Sequence, residues 1–139
     1  MKNTILLSLA VVFSLPAVAQ TCGQHLDVGL PSYQSDQVLC RDGYAVGYNY
    51  QMKNADWVAY HITADSVNAS YKRSNSFKED TELPDYARST LADYSGSGYD
   101  RGHLAPSATM DFSQESMTQS FLMSNICLLY TSPSPRDDR

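Results

Sequence analysis

Apolar residues in this chain gather in short runs, and the stretches between them are polar and rich in turn-forming residues. Gln37-Val-Leu-Cys40 and Tyr44-Ala-Val-Gly-Tyr-Asn-Tyr50 flank Arg41-Asp42-Gly43. Two such runs around Asp-Gly predict a β-hairpin in which Gly43 supplies the positive φ of a tight turn. Met52–Asp56 predicts a second turn. Trp57–Thr63 carries β-branched and aromatic residues on both parities, which predicts a strand covered on both faces and central in its sheet. His61 falls in that run and is expected to be a hydrogen-bonded core residue. The stretch from Ala64 to Arg88 is polar and irregular. Ser89–Tyr94 predicts one helical turn, and Ser95-Gly-Ser-Gly98 a flexible one. Tyr99–Leu104 predicts a short extended segment that Pro106 stops. Asp111, with Gln114 three residues on, is expected to cap a short helix. Phe121–Ile126 is expected to return as a strand. No internal repeat, Gly-rich phosphate loop, nucleophilic Ser elbow or heptad is visible.

The beginning of the chain changes the picture. Lys2, the apolar stretch Ile5–Leu15 and the small residues Ala17-Val18-Ala19 read as a signal peptide over residues 1–19. The apolar stretch is too short to span a bilayer. The expectation is an exported protein starting near Gln20, periplasmic or secreted, and not held in the membrane. Residues 20–39 are rich in Gly, Pro, Ser and Gln and read as an N-terminal arm. Three cysteines are present. In an exported chain a disulfide is the default, and Cys22 with Cys40 is the expected pair. Closing that loop stabilises by about 3 kcal/mol in the chain-entropy view. A rival reading, Cys22 with His25 as half a zinc site, lacks a second ligand pair at proper spacing.

The formal net charge of −5 opposes nucleic-acid binding through the bulk field. Local charge would then have to act, and Lys72, Arg73, Lys78, Arg88 and Arg101 are the candidates. A bound metal ion would also offset carboxylates nearby.

The chemistry concentrates in Asp100-Arg101-Gly102-His103, which follows Gly96-Ser-Gly-Tyr99 and precedes Leu104-Ala-Pro106. A histidine can take a proton from water near neutral pH. An adjacent arginine can hold a phosphate oxygen and stabilise added charge. Together they point to phosphodiester hydrolysis; taken alone, the four residues also fit a turn with a salt-bridged arginine and a half-buried histidine. Tyr99–Pro106 resembles the signature of the DNA/RNA non-specific endonucleases, the ββα-metal nucleases that include secreted bacterial nucleases and mitochondrial endonuclease G. Ala55–Thr63 resembles the family's Trp-Val-Ala-Tyr strand, and Ser120–Ile126 its Asn-Ile strand. The three motifs stand in the family's order.

The resemblance implies an α+β fold centred on an antiparallel sheet, with Tyr99–Leu104 and Phe121–Ile126 as the two strands of the ββα motif. It implies metal-dependent, sequence-non-specific hydrolysis of DNA and RNA, with Mg2+ or another divalent cation as cofactor and products bearing 5′-phosphates. His103 is then the general base. Arg101 and Arg73 bind phosphate oxygens, with a solvated loop charge as the equal alternative for Arg73. Asp100 supports local geometry or pairs with an arginine. Asn125 orients the site through hydrogen bonds and is not the metal ligand.

The family's metal-binding Asn lies in a helix after the Asn-Ile strand. Here Cys127–Arg139 holds no Pro-Gln step, and Pro133 and Pro135 forbid a useful helix. The metal ligand is therefore unknown. Residues 127–139 read as a non-native tail, similar to a translated sequencing adapter joined to a truncated frame. Residues 40–126 read as a partial, incomplete endonuclease domain, expected to fold poorly and to cleave weakly or not at all. The alternative is a non-catalytic exported nucleic-acid-binding module on the same scaffold. A small disulfide-bonded structural protein is a third reading, which the triple motif match disfavours.

Overall fold

The computed structural model describes residues 22–130. The signal-peptide reading of residues 1–19, and the tail reading over residues 131–139, lie outside the described residues.

The Asp-Gly hairpin forms where the pattern puts it. Strand β1 (Gln37–Cys40) pairs antiparallel with β2 (Ala45–Asn49), with Val38 opposite Gly47 and Cys40 opposite Ala45. The Arg41 amide closes the turn by donating to the Tyr44 carbonyl at 2.8 Å. Gly43 is needed for a different reason from the one expected. The positive-φ glycines are Gly23, Gly29, Gly96 and Gly98, and Gly43 is not among them. A Cβ on Gly43 would overlap Ser116 Oγ and Met110 Sδ, so the residue permits close packing rather than an unusual backbone angle.

Strand β3 (Asn54–Ala59) joins the free edge of β2, giving the order β1-β2-β3. The central strand is thus β2, and the Trp57 strand lies at an edge. Side-chain size explains the exchange. Val46 and Tyr48 are fully buried with Leu39, Tyr44, Leu83, Ala105 and Met110. Gly47, on the other parity, lets the Trp57 ring and Ser35 approach its backbone. Strand β3 ends at Ala59, so His61 lies beyond it and is exposed, not a core residue. Its backbone N–H donates to His25 Nδ1 at 3.3 Å.

The arm is fastened in two places. Cys22 and Cys40 are disulfide-bonded, as expected. His25, in a 3-10 turn at Gly23–Leu26, contacts the Asp42 carbonyl through Nε2 at 3.1 Å. Both ring nitrogens of His25 are occupied, which leaves the half-zinc reading without a ligand.

The second half of the chain has short helices and one ribbon. Helix α1 (Ala64–Val67) starts at a Thr63–Ser66 capping box, and α2 (Leu91–Tyr94) at a Thr90–Asp93 one. Strand β4 (Asp100–His103) follows. Helix α3 (Gln114–Ser120) is capped by Ser113, whose Oγ accepts from the Ser116 amide at 2.9 Å; Asp111 does not cap it. A 3-10 turn at Met123–Asn125 then delivers β5 (Ile126–Leu129), antiparallel to β4. The returning strand therefore begins where it was expected to end. Residues before Ile126 turn because Asn125 is drawn inward to bond the backbone behind β4.

A buried ionic cluster joins the two halves. Arg41 Nη2 donates to Asp80 at 2.6 Å and Nη1 pairs with Glu82. Ser124 Oγ donates to the same Asp80 oxygen at 2.5 Å. The hairpin turn is thereby tied to the 3-10 turn that carries Asn125.

Candidate active site

The pleat of β4 sends Arg101 and His103 to one face and Asp100 and Gly102 to the other. A Cβ on Gly102 would overlap the Leu129 side chain of β5. Asp100 is exposed on that opposite face, and among the described residues it makes no salt bridge with either candidate arginine.

His103 ends the strand opposite Ile126. The backbone just behind it is locked by Asn125, which is fully buried. The Leu104 amide donates to the Asn125 carbonyl at 2.9 Å. The Ala105 amide donates to Asn125 Oδ1 at 2.8 Å. Asn125 Nδ2 donates to the carbonyls of Ala105 at 3.0 Å and Ser120 at 2.9 Å. The whole carboxamide is committed to the backbone. It orients the segment that carries the imidazole and has no side to offer a cation.

The imidazole sits in an aromatic corner. Its ring is edge-on to Phe121 at 4.7 Å and tilted against Phe77 at 5.8 Å, and the two phenyl rings meet at 5.1 Å. His103 Nε2 is shielded and no protein group bonds it. An unpaired buried nitrogen costs about 1–3 kcal/mol, and such atoms in native folds often mark a working site. Burial, and then the nearby Arg73 charge, lower the His103 pKa below the ordinary imidazole value. Both effects favour the neutral ring, the form that can accept a proton.

Two guanidinium groups flank it. Arg73 lies over the Phe121 ring at 5.2 Å, with Nε donating to Asn75 Oδ1 at 2.7 Å and Nη1 to Ser107 Oγ at 2.6 Å. Arg101 lies over the Phe77 ring at 4.5 Å. Each cation is held on the face of a ring that also touches the imidazole. Arg73, Arg101, His103 and Asn125 are thus brought to one place, while Asp100 stands apart. Arg88 is spent elsewhere, on Asp85 and the carbonyls of Asp80, Thr81 and Leu83. Lys72 and Lys78 are exposed.

Phe77, Phe121, Asn75 and Ser107 are site residues that inspection of the sequence misses. Phe77 stands four positions after Arg73 in a polar stretch, which is the only local hint.

The fit of a divalent cation can be judged from the donors. The ionisable neighbours of His103 in this corner are both cationic. Among the described residues no group of three or more His, Cys, Asp or Glu could hold a metal ion. These residues do not make a cation site by themselves.

The sequence pattern that defines the DNA/RNA non-specific endonucleases matches residues 22–127. Nuclease C1 of Cunninghamella echinulata var. echinulata is 44% identical over 104 residues, covering 73% of this chain and 41% of its own length. The mitochondrial nuclease of Saccharomyces cerevisiae is 47% identical over 89 residues, covering 63% of this chain and 27% of its own. A crystal structure of the EndoG/EndoGI complex superposes with a TM-score of 0.71 at 30% identity, covering 81% of this chain and 46% of that one. The chain thus spans less than half the length of each of these relatives. The comparisons also correct one expectation. Similar nucleases from Saccharomyces cerevisiae, Schizosaccharomyces pombe, Bos taurus and Homo sapiens are mitochondrial by name, so the periplasmic or secreted assignment does not stand.

Proposed function

We infer function from family: this chain belongs to the DNA/RNA non-specific endonucleases. On that footing its site serves hydrolysis of phosphodiester bonds in DNA and RNA. The supporting observation is a half-buried imidazole whose pKa is lowered by burial and Arg73, with a guanidinium on each phenyl ring that it touches. In our reading His103 takes the proton of a water that attacks phosphorus. Arg73 and Arg101 hold the non-bridging oxygens, and their charge favours the pentacovalent state. Their stacking on Phe121 and Phe77 fixes them in advance, so less ordering is needed when substrate arrives. Asn125 keeps the imidazole in place through the backbone, and Asp100 has a supporting part at most. We take the divalent cation of the family's chemistry to be magnesium. The residues named here act on the proton and the phosphate, and they do not supply the cation's ligands.

The full chain is expected to bind single-stranded DNA and to nick supercoiled plasmid slowly with magnesium. His103→Ala should lower that nicking by about 10²–10⁴-fold, the usual worth of a general base, with binding retained. Nicking that survives the substitution would remove His103 from the role. Binding with no nicking under any divalent cation would favour the second reading, a nucleic-acid-binding module. Neither binding nor nicking would overturn both.

A further inference from the structure

A cleft of about 610 Å³ lies between α2 and the start of β4, lined by Leu91, Tyr94, Tyr99, Asp100 and Arg101 among others. Arg101 belongs to two places at once. Its guanidinium covers Phe77 in the catalytic corner, and its side chain also forms a wall of this cleft. Arg101 and His103 share one face of β4, and Tyr99 immediately precedes the strand. Side chains two apart on a strand are about 6.6–6.8 Å apart, so the guanidinium stands next to the proposed base.

We propose that this cleft is a nucleobase subsite, taking the base and sugar of the nucleotide next to the scissile phosphate, with Tyr99 as the stacking platform. The proposal rests on the nuclease reading above. Three features select a base over another phosphate. The lining is polar for the most part, and Tyr94, Tyr99 and Leu91 supply its aromatic and aliphatic residues. Asp100 is among the lining residues, and a negative charge there disfavours a phosphate. Arg101 sits at the end nearest His103, where the strand's phosphate must be. Tyr99 is 42% exposed and meets Tyr130 edge-on at 5.2 Å, so part of its ring is open to solvent. Tyr94 is a fixed wall, since its hydroxyl donates to the Ile126 carbonyl at 2.7 Å. Gly96 and Gly98, both at positive φ, turn the chain between Ser95 and Tyr99, which both line the cleft. Stacking on a phenol ring does not depend on which base is present, which suits a non-specific enzyme.

The test is fluorescence anisotropy of the full chain with labelled six-nucleotide single-stranded DNA. A second oligonucleotide carries abasic linkers at its central positions. Binding is read in a chelator, so that cleavage plays no part. Tyr99→Leu should weaken binding of the normal strand about tenfold, which corresponds to one stacked base. It should leave the abasic strand unchanged. Tyr99→Trp should bind the normal strand at least as well as the unaltered chain. Equal losses on both strands, no loss on either, or no binding by the unaltered chain would each overturn the subsite. A Tyr99-dependent, base-dependent affinity in a chain that never nicks DNA would keep the subsite and discard the nuclease reading. Nicking that ignores Tyr99 would do the reverse.

Discussion

Asn125→Ala tests whether the imidazole is held by the latch behind β4. The substitution leaves three buried backbone groups without partners: the Ala105 amide, the Ala105 carbonyl and the Ser120 carbonyl. A buried polar group left unpaired costs about 1–3 kcal/mol, and carbonyls tolerate it somewhat better than amides. The sum is about 3–5 kcal/mol, a large share of the about 5–15 kcal/mol that holds a domain folded. Asn125→Asp sharpens the test because it keeps the shape. It retains an acceptor for the Ala105 amide but points a carboxylate at two carbonyls, so that carboxyl must stay protonated in the fold. Its folded pKa is then raised above the ordinary Asp value, about 3.9. A group with a raised folded pKa stabilises below the unfolded value and loses that contribution as pH rises through the folded one. The aspartate variant should therefore melt highest in acid and progressively lower toward neutral pH, with the unaltered chain lacking that trend. Urea titrations monitored by Trp57 fluorescence supply both readings. An alanine cost below about 1 kcal/mol, under the value of a single orphaned group, or an aspartate variant indifferent to pH, would refute the latch.

The Arg41–Asp80 pair is a second target. Both side chains are only 3% exposed, so Asp80→Asn should cost about 3–5 kcal/mol by leaving the buried Arg41 with only the exposed Glu82 as counter-charge, and adding Arg41→Met should recover much of it. Failure of the double variant to recover would mean that Ser124 and Glu82 carry the effect. For His103, burial and then Arg73 lower the folded pKa, so stability is full above the unfolded value of about 6.5 and declines as pH drops below it. His103→Ala should remove that decline, and Arg73→Ala should shift the His103 imidazole resonance midpoint partway upward; an unmoved midpoint would leave burial as the sole cause. Finally, two guanidinium contacts predict a shallow salt dependence on single strands, a slope of log K against log salt of about −1.4. A much steeper slope would mean that Lys72 and Lys78 also touch phosphate.

The sequence showed the parts whose cause is local. Asp42-Gly43 between two apolar runs could hardly be anything but a hairpin, and Cys22 with Cys40 was the natural closure for the arm. The extended segment before Pro106 was legible in the same way. What stayed hidden is tertiary. Phe121 lies eighteen residues after His103, and its position in the corner depends on the parallel bridge between Lys78 and Leu122. The edge position of β3 depends on Gly47 admitting the Trp57 ring, and aromatic content alone suggested a central strand. The cap of α3 moved from Asp111 to Ser113 because only the latter reaches the Ser116 amide. Asn125 reads as a polar residue ahead of a strand, and nothing nearby announces that all its hydrogen bonds go to the main chain.

An overall charge of −5 weighed against a nucleic-acid site when read as a sum. The fold shows why the sum misleads. Several carboxylates are consumed where no substrate goes: Asp80 and Glu82 on Arg41, Asp85 on Arg88, and Asp93 on the cap of α2. Asp100, nearest in sequence to the proposed base, is turned to the far face by the strand's own pleat. What remains around His103 is two cations on aromatic faces with no acidic partner among the described residues. Their charge is thus not neutralised by a carboxylate. Within a Debye length of about 8–10 Å, such a local arrangement outweighs the distant net charge, which salt screens. Arg41 and Arg88 contribute to the same formal tally and yet bind only the protein itself, so which charges face solvent, rather than how many exist, decides what this surface attracts.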